Sequence, residues 1–406
     1  MMNTHRPEVA DVFRSHGTAF LEISGRSISK QQRRALKDLF LCRTAALGGH
    51  VRKCDQCDHQ EISYNSCRNR HCPKCQGTAR ARWLEARAAD LLNVPYFHVV
   101  FTLPDTLGPI ALQNKRVLYE ILFRSVSETL HTIAKEQKYL GAEIGFIALL
   151  HTWGQSMHFH PHVHCLVPGG GLSPEGKSWL SSGNKFFLPV RVLSRLFQKK
   201  FLAYLKEAYE KGSVSFFGQQ KHRKNKPNWK RFVSALYDTN WVIYARPPFG
   251  SPAQVLKYLA RYTHRVAISN QRMVSLRNGK VIFRWKDYAD GNKEKSMTLD
   301  AVEFIRRFLL HVLPSGFMHI RHYGFLSNRN RKEKLPLCRI LIEANEADQT
   351  SSASPEAETY DILKIDDLSI CPSCKKGRMV MIERLNPNPE YKYSFWFSCM
   401  EAYDTS

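Results

Sequence analysis

The chain has 406 residues, 43% of them apolar, with 60 Lys and Arg against 36 Asp and Glu for a formal net charge of +24 at pH 7. That length predicts two or three folding units of about 150 residues each, and the positive excess reads as a field for polyanions, nucleic acid first among them. No apolar run approaches the roughly 20 residues of a spanning helix, and the opening MMNTHRPEVADVF lacks an apolar h-region, so membrane and secreted classes are excluded and a soluble, cytoplasmic protein is expected.

Ser29 to Leu47 predicts a helix, with Leu36, Leu39, Phe40 and Leu47 at roughly helical spacing. Cysteines follow at once. Cys54 and Cys57, then Cys72 and Cys75, give C-x2-C-x14-C-x2-C, close to the spacing of zinc ribbons. The 11 cysteines are an odd number and largely paired as C-x2-C, which suits thiolate metal sites better than a disulfide framework. Four thiolates saturate a tetrahedral zinc, so this Zn²⁺ is expected to be structural. Cys67 and His71 lie within the same loop and compete as ligands, while Arg52, Lys53, Arg68, Arg70 and Lys74 interleave with it and could meet phosphates.

Thr78 to Leu92 reads as a helix stopped by Pro95, Phe97 to Pro104 as a buried strand, Lys115 to Gln137 as a long helix and Ile144 to Leu150 as another strand. Such interspersion predicts an α/β domain from about Pro95 to Leu313, with His98 as a core or sheet residue. His158 to Val167, HFHPHVHCLV, places four histidines on alternate positions. Pro161 predicts that the regular strand begins after it. His162 and His164 then share one face, about 6–7 Å apart at Cα, as a metal-chelating pair.

Between Gln219 and Arg231 lie six Lys or Arg, including Lys221, Arg223 and Lys224, and no acid. This predicts a basic loop, with Trp229 offered for base stacking on single-stranded nucleic acid. Strands at Trp241 to Tyr244 and Val281 to Trp285 are expected to complete the sheet. Ser251 caps a predicted helix that carries Tyr258 and Tyr262 at i and i+4, surrounded by Lys257, Arg261, His264 and Arg265. Phenol oxygens beside such cations have a stabilised phenolate and can attack phosphorus, although a packed apolar stripe has the same spacing. Ala344 to Thr359 is Ser, Ala and acid-rich and predicts a linker. After it Cys371 and Cys374 form a C-x2-C followed only by Cys399, half of a zinc site or a degenerate one.

The blocks CRTAALGGH, SCRNRHCPKC, YFHVVFTLP, HPHVHCLVPGGG, YLARYTHRVAIS and RRFLLHVLPSGFMHIRHYG run in order from about residue 40 to 325. In them the sequence resembles the HUH (His-hydrophobic-His) rolling-circle transposases with two tyrosines, of the insertion-sequence-91 type. The resemblance implies an α/β (α+β) chain: a zinc-ribbon-like module over 1–92, an HUH endonuclease domain over 93–340 with a central antiparallel sheet flanked by helices, and a linker and tail over 341–406. It implies His162 and His164 as ligands of a catalytic Mg²⁺ or Mn²⁺, although the ligand type alone would also suit zinc or iron, and Tyr258 and Tyr262 as nucleophiles. Gln155 and His160 are the candidates for third ligand, and Lys257, Arg261, Arg265, Lys221, Arg223 and Lys224 for DNA contact. The implied reaction nicks single-stranded DNA at element ends and target through a 5′-phosphotyrosine and rejoins it without ATP, in a bacterial, nucleoid-associated setting.

A plasmid replication initiator or relaxase would share the HUH chemistry, but the zinc module and the RHYG block favour the transposase. A recombinase with three catalytic carboxylates is opposed by the sparse acids of the core blocks, and a zinc peptidase by the lack of H-E-x-x-H. A non-catalytic, zinc-dependent DNA-binding regulator would bind without forming covalent adducts.

Overall fold

The computed structural model describes residues 6–182, 188–249, 254–255, 267–288, 290–347 and 369–388. It opens with helices α1 (Val9–Ser24) and α2 (Lys30–Leu41). Ser29 starts α2 by accepting from the Gln32 N–H while Gln32 Oε1 accepts from the Ser29 N–H, a reciprocal cap. The helix predicted to reach Leu47 turns out at Cys42, leaving Ala45–Leu47 as a 3-10 turn. Strands β1 (Gly49–Cys54) and β2 (Gln60–Tyr64) and helix α3 (Gln76–Ala88) follow.

The central domain runs β3 (Tyr96–Thr102), α4 (Gly108–Gln113), α5 (Lys115–Lys135), β4 (Phe146–Trp153), β5 (Phe159–Pro168), the small pair β6 (Gly170–Leu172) and β7 (Trp179–Ser181), α6 (Val190–Glu210), α7 (Lys226–Asp238) and β8 (Ile243–Phe249). Then come β9 (Met273–Arg277), β10 (Lys280–Asp287), β11 (Lys293–Asp300), α8 (Ala301–Leu310), β12 (Ile320–Tyr323), α9 (Arg331–Ala347) and β13 (Met379–Leu385). Five strands form one sheet in the order β12-β4-β5-β3-β8, each neighbour antiparallel, so the histidine strand β5 lies in the middle as expected.

Alternation sorts this sheet into two faces. Val99, Phe101, Ala148, Leu150, Val163 and Cys165 pack under α5, α6 and α7. The opposite face carries Tyr96, Ile147, Leu149 and Leu166 and packs against Leu84 of α3, Val255 and Leu335, Cys338 and Ile342 of α9. Full burial of each such aliphatic or aromatic side chain contributes about 1.5–3 kcal/mol. The strand expected to start after Pro161 runs straight through it. Pairing of β4 with β5 shifts register between His151 and Trp153, so the missing proline N–H falls at an irregularity where it costs no ladder bond.

Val281 to Trp285, expected in the same sheet, instead forms the middle of a separate one, β11-β10-β9. Its apolar face, Val281 and Phe283, is covered by α1, α2 and α8 in a second core where Phe13 meets Phe308 edge-on at 5.2 Å. The basic stretch expected as a loop is a 3-10 turn over Gly218–Lys224 leading into α7. Gly324 sits at φ +59°, where a Cβ would lie 1.8 Å from the Ile144 carbonyl oxygen, so the RHYG block needs glycine there to turn beneath β4. The predicted linker begins inside α9, which extends to Ala347; residues 348–368 lie outside the described ones. Past it the chain returns, and β13 joins the N-terminal sheet in the order β13-β1-β2. Among the described residues no helix is long and apolar enough to cross a membrane.

Candidate active site and metal centres

Register assembles the histidine site. His162 and His164 lie on the same face of β5, and β4 places His151 directly opposite His162. One ligand nitrogen from each of the three lies within 4.8 Å of the others, and the rings of His162 and His164 are 4.8 Å apart. His162 Nδ1 stands 2.7 Å from the His160 carbonyl, so it carries the proton and donates, which leaves Nε2 with a lone pair. His164 Nδ1 stands 2.8 Å from His98 Nε2. When Nδ1–H of His164 donates to His98, its Nε2 too is presented as a ligand.

Desolvation pushes His162 down to about 4, so its neutral, ligating form prevails at neutral pH. Three imidazoles converging from two strands fit a divalent ion and leave coordination positions open. Sequence reasoning missed two members of this site. His151 follows the apolar run IALL within β4, where a polar residue on the face of Leu149 and Ile147 was the available signal. His98, read as a core or sheet residue, is buried as expected but also positions His164.

Gln155, a candidate third ligand, has its amide nitrogen engaged elsewhere. It lies beyond the end of β4, and its side chain donates to Tyr288 Oη at 2.8 Å. His160 stands beside the triad without entering it, its ring 5.5 Å from that of His162 and its Nδ1 3.0 Å from Asp105 Oδ1. Tyr258, Tyr262, Lys257, Arg261 and Arg265 lie outside the described residues. Just ahead of them, Val255 is fully buried in the cluster that includes Leu149 and Leu166 on the histidine face.

The cysteines do not share one ion as expected. Cys42, Cys67, Cys72 and Cys75 form one group, and Cys54 and Cys57 form another with Cys371 and Cys374. In the first, Cys42 is 3.6 Å from both Cys72 and Cys75, and Cys67 is 3.6 Å from Cys75. Tetrahedral zinc with bonds of about 2.3 Å needs sulfurs about 3.8 Å apart, so four thiolates fit it. Each C-x2-C turn does present two sulfurs to one ion, but the β1–β2 hairpin carries Cys54 and Cys57 away from Cys72 and Cys75. His71 is not part of the first group, and its Nε2 accepts from the Leu313 N–H at 3.4 Å.

Several cations read as phosphate contacts are engaged within the protein. Arg70 donates to the carbonyls of Pro314 and Phe317, Arg52 pairs with Glu61, Lys53 with Asp58 and Lys74 with Glu8. Trp229 is not a stacking platform, since it is 4% exposed and stacks on Tyr209 at 4.3 Å inside the α6–α7 layer. Lys221 and Lys224 are exposed, and Arg223 lies over the Phe232 ring at 4.3 Å.

A cysteine module joined to a sheet that carries a histidine triad, on a chain of net charge +24, has the side chains of a two-part metal-binding protein. Comparison with known proteins narrows the class. Residues 12–103 match the family described as "Transposase zinc-binding domain" and residues 145–334 the one described as "Putative transposase". The chain is 52% identical over 379 residues to "Putative transposase y4qJ" of Sinorhizobium fredii, covering 93% of this chain and 95% of that one. It is 30% identical to the transposase for insertion sequence element IS801 of Pseudomonas savastanoi pv. phaseolicola, over 73% of this chain and 71% of that one. No solved structure matches. The chain belongs to the insertion-sequence-91 family of transposases, zinc-binding enzymes that process DNA.

Proposed function

We propose that this transposase nicks and rejoins single-stranded DNA through a 5′-phosphotyrosine, as in rolling-circle transposition, with Tyr258 and Tyr262 as nucleophiles and His151, His162 and His164 as ligands of a catalytic divalent ion. The observation that carries this reading is the triad itself: three convergent imidazoles, two of them held through Nδ1 by a neighbour, on the sheet face against which Val255 packs just before the two tyrosines.

A divalent ion bound there would polarise the oxygens of the scissile phosphate. The tyrosine oxygen attacks phosphorus and the bond to the 3′ oxygen breaks; the phenol proton is matched by the one gained by the released 3′-hydroxyl. Another 3′-hydroxyl reverses the exchange, and two tyrosines allow two exchanges in succession. An all-imidazole ligand set favours Mn²⁺ over Mg²⁺, whose preference is for oxygen ligands. Residues 1–92 and 93–340 then work on DNA in the bacterial cytoplasm as two parts that share a core, since α1 and α2 pack on β10 and α8, with 369–388 joining the first of them.

The test is incubation of the purified chain with single-stranded DNA of the element's ends and Mn²⁺, scored for a covalent protein–DNA adduct. Adduct is expected from the parent, none from Tyr258→Phe/Tyr262→Phe, and none from His151→Ala or His162→Ala, all of which should retain most DNA binding. An adduct that survives loss of both tyrosines overturns the assignment of nucleophiles. Binding by the parent without any adduct would favour the regulator instead.

A further inference from the structure

Residues 12–103, the span of the zinc-binding family match, contain Cys42, Cys54, Cys57, Cys67, Cys72 and Cys75. Four of these complete the first site, which leaves Cys54 and Cys57 two ligands short. We propose that they bind a second zinc with Cys371 and Cys374, and that this ion fastens the C-terminal segment to the N-terminal module. The proposal does not rest on the strand-transfer chemistry.

The pairing is built from both sides. Cys54 Sγ is 3.7 Å from Cys374 Sγ and Cys57 Sγ is 3.7 Å from Cys371 Sγ, and all four sulfurs lie within 4.8 Å of one another. Each C-x2-C is closed as a turn of the same kind: the Cys54 N–H donates to the His59 carbonyl at 2.9 Å, and the Cys371 N–H to the Gly377 carbonyl at 2.8 Å. Each turn also aims a backbone N–H at its own sulfur, Gln56 to Cys54 at 3.4 Å and Gly377 to Cys374 at 3.3 Å. Such N–H donors stabilise thiolates, the form that binds metal.

The two turns interlock. Asp55 N–H donates to the Arg378 carbonyl, and Arg378 N–H donates back to Asp55 Oδ1 at 2.7 Å. A Cβ on Gly377 would lie 2.4 Å from Cys54 Sγ and 2.6 Å from Asp55 Oδ1, so close approach of the two turns requires glycine there. Beside the β1–β13 ladder, the described residues bury little apolar surface at this corner. Its core consists of Cys54, Cys371 and Met379 with Cys57 and Cys374 against it, while Val380, Met381 and Ile382 of β13 are exposed. A small three-stranded sheet with so little buried apolar surface gains its cohesion from a metal. The second ion can therefore be held only by a chain synthesised through Cys374.

The test uses the full chain. Elemental analysis should find one zinc per molecule fewer in Cys371→Ser/Cys374→Ser than in the parent, whereas Cys374→His, which keeps a ligand, should retain it. In a second measurement a specific protease site is inserted after Ser351 of the otherwise native chain. After cleavage the fragment bearing Cys371 and Cys374 should co-elute with the rest of the protein and separate once zinc is chelated. Unchanged zinc in the double serine variant overturns the proposal. So does a cleaved fragment that leaves while zinc is present, or one that stays after chelation. Should the serine variant fail to fold, the cleaved parent decides alone.

Discussion

A histidine can ligate a metal in a defined direction only when its other nitrogen is engaged, and at His164 that task falls to His98. His98→Ala should weaken Mn²⁺ binding by about 10–100-fold, the usual effect of removing such a partner, as read by metal titration. Unchanged affinity would reduce His98 to a packing residue. Gln155→Ala should leave the affinity as it is, since that side chain bonds Tyr288 and not the triad. His151→Ala should lower it at least as far as His98→Ala does, because it removes one of the three donors that the described residues bring together.

At the scale of elements, α7 illustrates how a charge run and a fold coexist. Its first two turns and the preceding 3-10 turn carry Lys221, Arg223, Lys224, Lys226, Lys230 and Arg231, while Trp229, Val233 and Leu236 anchor it in the layer opposite the histidine face. The cations are therefore held on a helical surface, where they can meet phosphates without touching the triad. Neutralising them should lower affinity for single-stranded DNA and flatten the dependence of log K on log salt by about 0.7 for each phosphate that is no longer neutralised. Adduct formation at saturating DNA should persist. An unchanged salt slope would mean that this surface faces away from the DNA.

Across the whole molecule, burial leaves several histidines neutral far below their ordinary range. Desolvation brings His322 to about 4 with help from Arg87 and Arg331, and His71 and His311 to about 3. Below about pH 6.5 the unfolded chain takes up protons at these positions that the folded chain refuses. Stability is therefore complete above that pH and is lost as pH falls towards 4, at up to about 1.4 kcal/mol per pH unit for each group. His322→Gln isolates one such group. Between pH 8 and pH 5 the parent should lose about 2 kcal/mol more than this variant in urea unfolding. Equal losses would show that His322 is solvated in the folded protein.

Features set by neighbours in the chain were legible in the sequence. Ser29 as a cap, the helix from Lys115, the alternation that pairs His162 with His164 and each C-x2-C as a two-sulfur turn all follow from local backbone geometry. The antiparallel sheet with histidines in its middle was expected from a family resemblance and is present. Tertiary structure decided what those local pieces meet. His151 joins the triad because the β4–β5 register sets it opposite His162, and Trp229 is core because α7 packs on α6. Cys54 and Cys57 find their partners more than 300 residues away because β13 returns to pair with β1. A ligand turn specifies half a site wherever it stands, but which halves meet depends on strand order and register, which arise from contacts that no short stretch of sequence contains.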